Sequence, residues 1–271
     1  MGSDENSAPS DAGPPPECDR RRFLQGLVAG AMLGAPSIAT ALGPRSKVQL
    51  AQLVYRGGQP RPRPTGLRRL AWELDKRTSI DVELEPAIVR ATDRKLFRFP
   101  LLYMSGDQAF EPLSTPEINR LNRLLTFGGL LIVDSADPRP GGGFDRSVRR
   151  MVSRLFPARS LGKVDREHTL YRSFYLLDRI VGRVATVPDL EGIERDGRLL
   201  VVYCQNDLAG AWSRDNFGQW EYPVHPGGER QRERAFRWGI NLVMYALCLD
   251  YKADQVHIPF ILKRRRWQVR P

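Results

Sequence analysis

Polar and apolar positions alternate across residues 47–55, Lys47-Val48-Gln49-Leu50-Ala51-Gln52-Leu53-Val54-Tyr55, and that period of two reads as a β-strand. Arg56-Gly57-Gly58 and the proline-rich residues 60–64 follow as a rigid, basic loop. Leu67, Leu70, Ala71 and Leu74 then recur at helical spacing. Residues 80–84 and 99–104 read as two more strands, the second ending at Ser105-Gly106.

The best-signalled helix comes next. Ser114-Thr115-Pro116-Glu117 combines an N-cap residue, a proline in the first turn and a glutamate three residues after the serine. Ile118, Leu121, Leu124 and Leu125 form one apolar face, and Gly128-Gly129 stands where a helix stops. Leu130-Leu131-Ile132-Val133-Asp134 is a continuous apolar run, suited to a strand buried on both faces. Strand, helix and strand in this order make a βαβ unit, which requires parallel pairing.

After the glycines at 141–143, Val148, Met151, Val152 and Leu155 mark another helix. Residues 170–177 read either as a strand or as a buried irregular segment. Residues 199–204, Leu-Leu-Val-Val-Tyr-Cys, read as a second buried strand. A polar and aromatic loop spans 205–228, and a long helix spans 229–249 with Phe236, Ile240, Val243, Met244 and Leu247 inward. Residues 256–262 read as a last strand. The alternation of strands and helices predicts one α/β domain over residues 44–265, a three-layer sandwich on a mainly parallel sheet.

The first 43 residues stand apart. Residues 1–17 are rich in Ser, Pro, Gly and acids and have almost no apolar groups. Asp19-Arg20-Arg21-Arg22-Phe23-Leu24 then resembles the twin-arginine export consensus, with Arg20 and Arg21 as the pair and Phe23-Leu24 following. Residues 23–43 carry no charge, Pro36 interrupts them, and Ala39-Thr40-Ala41 offers a small-x-small cleavage site. The apolar run is too short for a spanning helix, so a cleaved signal is expected rather than an uncleaved inner-membrane anchor. The working domain is therefore expected in the bacterial periplasm.

Charge follows from that division. The whole chain carries +11; residues 1–43 hold five acids (Asp4, Glu5, Asp11, Glu17, Asp19) and three arginines, so the remainder carries +13. Such a surface suits anionic envelope components or an envelope protein, and an exported location disfavours nucleic acid. The basic tail, Lys263-Arg264-Arg265-Arg266-Trp267 running into residues 266–271, suits contact with a membrane surface. Only Cys204 and Cys248 lie beyond the signal, and both sit in apolar stretches, which suits buried thiols.

In an open parallel sheet, ligands sit beyond the carboxyl ends of the strands. That rule selects Ser105, Asp134, Asp137, Asn206 and Asp207 as binding candidates. The loop that follows adds Trp212 and Arg214, which sit among aromatic and charged neighbours. A hydrolase would instead use Asp134, Asp137 or Asp207 as acid and base, with His168 assisting. Cys204 follows an apolar strand, but Val202-Tyr203-Cys204-Gln205-Asn206 lacks the small residues of a Gly-x-Cys-x-Gly elbow. There is no Gly-x-Gly-x-x-Gly, His-x-x-x-His or Cys-x-x-Cys, so neither cofactor nor metal is expected.

Several segments together carry a family resemblance: Tyr55-Arg56-Gly57-Gly58, Arg63-Pro64-Thr65-Gly66-Leu67, Arg77-Thr78-Ser79, Leu102-Tyr103-Met104-Ser105-Gly106, Gly143-Phe144-Asp145-Arg146-Ser147-Val148-Arg149-Arg150, Leu170-Tyr171-Arg172-Ser173-Phe174-Tyr175, Gln205-Asn206-Asp207-Leu208 and Asn241-Leu242-Val243-Met244-Tyr245-Ala246-Leu247. They resemble the bacterial "domain of unknown function 4159" family, over about residues 48–265. The resemblance implies a flavodoxin-like or class I glutamine-amidotransferase-like fold. It brings no established activity and no assigned catalytic residues. The expected function is a non-enzymatic ligand-binding or assembly module of the envelope, and the alternative is a hydrolase of envelope sugars or amides.

Overall fold

A computed structural model describes residues 47–265 apart from Pro138, with the backbone alone for 248–265. The export signal expected over residues 1–43, the side chain of Cys248 and residues 266–271 lie outside the described residues. One sheet has seven strands: β1 Val48–Val54, β2 Val82–Arg90, β3 Leu101–Gly106, β4 Leu130–Ser135, β5 Gly162–Lys163, β6 Glu191–Arg195 and β7 Arg198–Cys204. Their spatial order is β2-β1-β3-β4-β7-β6-β5. The five from β2 to β7 pair in parallel, and β6 and β5 extend the sheet antiparallel. The parallel part has the flavodoxin-like doubly wound order, with the direction of winding reversing between β1 and β3.

The helices are α1 Gly66–Arg77, α2 Thr115–Thr126, α3 Gly143–Leu155, the single-turn α4 Leu208–Trp212, and α5 Gly228–Arg265. Period-two alternation divides the strand residues between two cores. Leu50, Leu101, Tyr103, Leu130 and Ile132 face α1, α4 and α5; Ala51, Leu102, Met104, Leu131 and Val133 face α2 and α3. Each apolar run is thus buried on both sides, and the result is the three-layer sandwich that the sequence predicts.

The βαβ unit β3-α2-β4 forms as its signals dictate. Ser114 and Glu117 close a capping box, with the Ser114 N–H donating to Glu117 Oε2 at 2.7 Å. β3 and β4 then pair in register from Leu101↔Leu130 to Gly106↔Ser135. Residues 169–172 form a 3-10 turn, and residues 173–177 after it are irregular. The loop after β7 contains α4, which has no run of its own long enough to show helical periodicity.

One expectation is overturned. Residues 256–262 are not a strand; they continue α5 to Arg265. The stretch Asp250-Tyr251-Lys252-Ala253-Asp254-Gln255 contains neither Gly nor Pro, so nothing in it stops the helix. Among the described residues no helix is long and apolar enough to cross a membrane.

Candidate functional site

The reversal between β1 and β3 is where a flavodoxin-like sheet ordinarily opens a ligand crevice. Here two loops close it. Gly57 and Gly58 both take positive φ, +70° and +63°, and bring the β1–α1 loop against residues 109–111. The Glu111 N–H donates to the Arg56 carbonyl at 3.1 Å. Phe110 fills the gap, with its ring 4.5 Å from Tyr55 and 5.6 Å from Phe144. The Tyr55 hydroxyl donates to the Ser105 carbonyl at 2.8 Å, and Ser105 Oγ accepts from Gln52 at 3.3 Å. Ser105 is thus buried beneath an aromatic plug.

Further along the same edge, Asp134 at the end of β4 and Asp207 after β7 meet around the N-terminus of α4. Asp134 Oδ1 accepts the Leu208 N–H and Oδ2 the Ala209 N–H, both at 2.9 Å, and the Tyr103 hydroxyl donates to Oδ2 at 2.6 Å. Burial, and then the neighbouring Asp207 charge, push the Asp134 carboxyl up to about 7, against the pull of those three donors. Asp207 is the N-cap of α4, with φ +56° and ψ +65°. Its carboxylate accepts the Gly210 N–H at 2.9 Å, two bonds from Arg63 Nε at 3.1 and 3.2 Å, one from Arg63 Nη2 at 2.8 Å, and one from Arg183. The Arg63 guanidinium in turn lies 4.0 Å over the Tyr222 ring.

The other candidates are held elsewhere. Asn206 is fully buried and pins the 180–187 loop, accepting the Val187 N–H at 3.0 Å and donating to the Val187 carbonyl at 2.6 Å. Asp137 closes a turn with Arg139 at 2.9 Å. His168 caps its 3-10 turn, with Nδ1 accepting the Leu170 N–H at 3.1 Å, and its ring lies edge-on to Tyr245. Burial holds the His168 imidazole below its usual range. Among the described residues no hydrogen bond or ion pair joins Asp137 or His168 to the Asp134–Asp207 cluster. Cys204 is buried and free, and burial followed by the Asp134 charge pushes its thiol up, away from the reactive thiolate. Trp212 is a core residue whose indole N–H donates to the Ala235 carbonyl at 2.9 Å.

Arg214 has a different setting. It stacks 4.7 Å over Trp220, and its Nε donates to the Gly218 carbonyl. With Arg68, Arg69 and Trp72 of α1 and Leu84 of β2, it lines an open groove of about 290 Å³. A second open concavity, of about 550 Å³, lies at the carboxyl ends of β1 and β2 and is lined by Arg56, Arg90, Thr92 and Glu117. Sequence reasoning missed Arg63 and Arg183, which have no local pattern to mark them. It also missed Arg68, Arg69 and Trp72, although a tryptophan on the polar side of an amphipathic helix is a readable signal.

Over residues 49–247 the chain matches the model of the domain of unknown function DUF4159, and it belongs to that family. No curated protein matches it.

Proposed function

We propose that this DUF4159 domain is a non-enzymatic binding or assembly module of the bacterial cell envelope, exported by the twin-arginine route, and that its arginine-lined surface holds an anionic partner. One observation carries the reading. The strand-end acids that would serve catalysis are turned inward onto N–H and guanidinium donors, while two open concavities present arginine to solvent. Ligands bind where groups remain unsatisfied and accessible.

The hydrolase alternative has one point in its favour. A carboxyl held near 7 beside a second carboxylate is what acid–base chemistry uses. However, Asp134 and Asp207 are 1% and 0% exposed. A general base must come within ~3 Å of the substrate proton, and no substrate reaches these oxygens.

Two measurements test the proposal. Arg20→Lys/Arg21→Lys should leave the chain in the cytoplasm, whereas the wild type should reach the periplasm. The exported wild type should be retained on isolated envelope at low ionic strength and released as salt rises. Retention that is absent at low salt would overturn the binding reading. Continued export of the double-lysine variant would overturn the export reading.

A further inference from the structure

We infer that the groove between α1 and the 213–221 segment is a binding site for an acidic sugar, with its carboxylate on Arg214 and its apolar ring face toward Trp72 and Leu84. This deepens the envelope-binding reading and rests on it.

Both walls of the groove are fixed before any ligand arrives. One wall is α1, where Arg68 and Trp72 stand four residues apart and share a face. The other is the turn Asp215-Asn216-Phe217-Gly218. Asp215 Oδ1 accepts the Phe217 N–H at 2.9 Å and the Gln219 N–H at 2.7 Å, and Gly218 takes a φ of +82°. Arg214 and Trp220 bridge at the base of the turn, and Trp220 is held by Arg232, 4.3 Å over its ring, and by Phe236. A site built this way loses little conformational freedom on binding.

The donors are available. Among the described residues no carboxylate pairs with Arg214, and only its Nε is engaged. Arg68 meets Glu85 at 3.0 Å, but both side chains are more than half exposed, so that pair is weak and exchangeable. Arg69 is paired with Glu73 and lies 4.0 Å over the Trp72 ring, so it steadies that aromatic side chain rather than offering a free donor. Trp72 is 38% exposed and Leu84 40%. The groove therefore offers a forked guanidinium, a second exchangeable one and an apolar patch, within a volume that suits a small ligand.

The chemistry selects among anions. The Asp215 carboxylate also lines the groove, so a bare polyanion would meet repulsion there, whereas sugar hydroxyls would donate to it. An acidic peptide would be expected to add as a strand on β2, the free edge of the parallel sheet. Pro86 lies within that strand, and the register slips between Gln49↔Glu83 and Ala51↔Ala87, which disfavours strand addition. A sugar bearing one carboxylate per ring meets the charge, the apolar patch and the hydroxyl acceptor together.

The test is equilibrium binding of the full-length chain to a uronic-acid trisaccharide, followed by tryptophan fluorescence. Comparison probes are the same sugar with its carboxyls reduced to alcohols, polyglutamate, and phosphatidylglycerol vesicles. Saturable binding is expected for the uronate alone. Arg214→Ala and Trp72→Ala should each weaken it by about tenfold or more, the scale of a lost charge-assisted contact. Arg68→Gln changes a largely exposed side chain, should not disturb folding, and should weaken binding a few-fold. Arg195→Gln, at the far end of the sheet, should leave binding unchanged. Absence of saturable uronate binding, binding that survives both Arg214→Ala and Arg68→Gln, or equal binding of any comparison probe would overturn the assignment. If such a failure came with salt-sensitive retention on envelope intact, only the groove would fall; loss of that retention would remove the broader reading as well.

Discussion

Asp207 is the most demanding residue of the carboxyl edge, and Asp207→Asn tests why. The substitution keeps the shape, tolerates the left-handed backbone and still offers an oxygen to the Gly210 N–H, so it removes charge and little else. What remains is two guanidiniums, Arg63 and Arg183, whose side chains are 15% and 20% exposed and now lack a counter-charge. Removing one partner of a fully buried pair costs ~3–5 kcal/mol; with the arginine tips partly hydrated, about 2–4 kcal/mol is expected. For a domain of this size that corresponds to a fall in Tm of roughly 5–15 °C, read by circular dichroism on the purified chain. Asp207→Ala should cost more, because it also loses the cap and places a Cβ residue at φ +56° without local hydrogen bonding, together about 2 kcal/mol further. The reasoning fails if Asp207→Asn costs less than about 1 kcal/mol, or if Asn and Ala behave alike. A fully stable Asp207→Asn chain would also return Asp207 to the list of catalytic candidates.

Three further outcomes are expected. Asp134 is held at about 7 when folded against 3.8 unfolded, so the folded chain keeps a proton across that interval which the unfolded chain has released. Its contribution is complete below the lower value and is lost as pH rises to the upper one, so Tm measured from pH 4 to 7.5 should fall with a component that Asp134→Asn abolishes; parallel profiles would refute this. Gly106→Ala would place a Cβ 2.2 Å from the Phe144 ring and the Tyr55 hydroxyl, and should cost ~1–3 kcal/mol in a denaturation series. Cys204 should resist iodoacetamide in the native chain and react once urea unfolds it, as read by peptide mass mapping; ready native alkylation would contradict its burial.

How much of this was readable in the chain depended on how local each signal was. The β3-α2-β4 unit announced itself because its capping box, apolar face and stop glycines all lie between residues 114 and 129. The β6–β7 hairpin escaped notice because β6, Glu-Gly-Ile-Glu-Arg, has one bulky apolar residue. Yet Asp196-Gly197, with φ of +54° and +75°, is the two-residue turn that favours tight hairpins, and it was there to be read. The strand-end rule named Asp134 and Asp207, and the structure places them side by side. It could not say that their oxygens face Arg63, Arg183 and the Leu208 and Ala209 amides, since those partners lie 24 to 144 residues away. Composition flagged Arg214 and its loop, but the opposite wall of the groove sits on the outward side of a helix recognised by its inward one.

The five residues of α4 cannot form a helix on their own, for isolated helices need ~12 residues or more to persist in water. Its first amides wait for Asp134 from β4, its cap waits for Arg63 from before α1, and Gly66 must lie beneath Ala209 for the turn to seat. The order of folding follows. β1, β3, β4 and β7 must already be assembled in the sheet before this turn closes, so it belongs to the last, native-side stage of the reaction. Substitutions there should hasten unfolding and leave the refolding rate nearly unchanged. If the chain is exported folded, as proposed, closure of α4 would mark the moment at which a finished molecule exists to be moved.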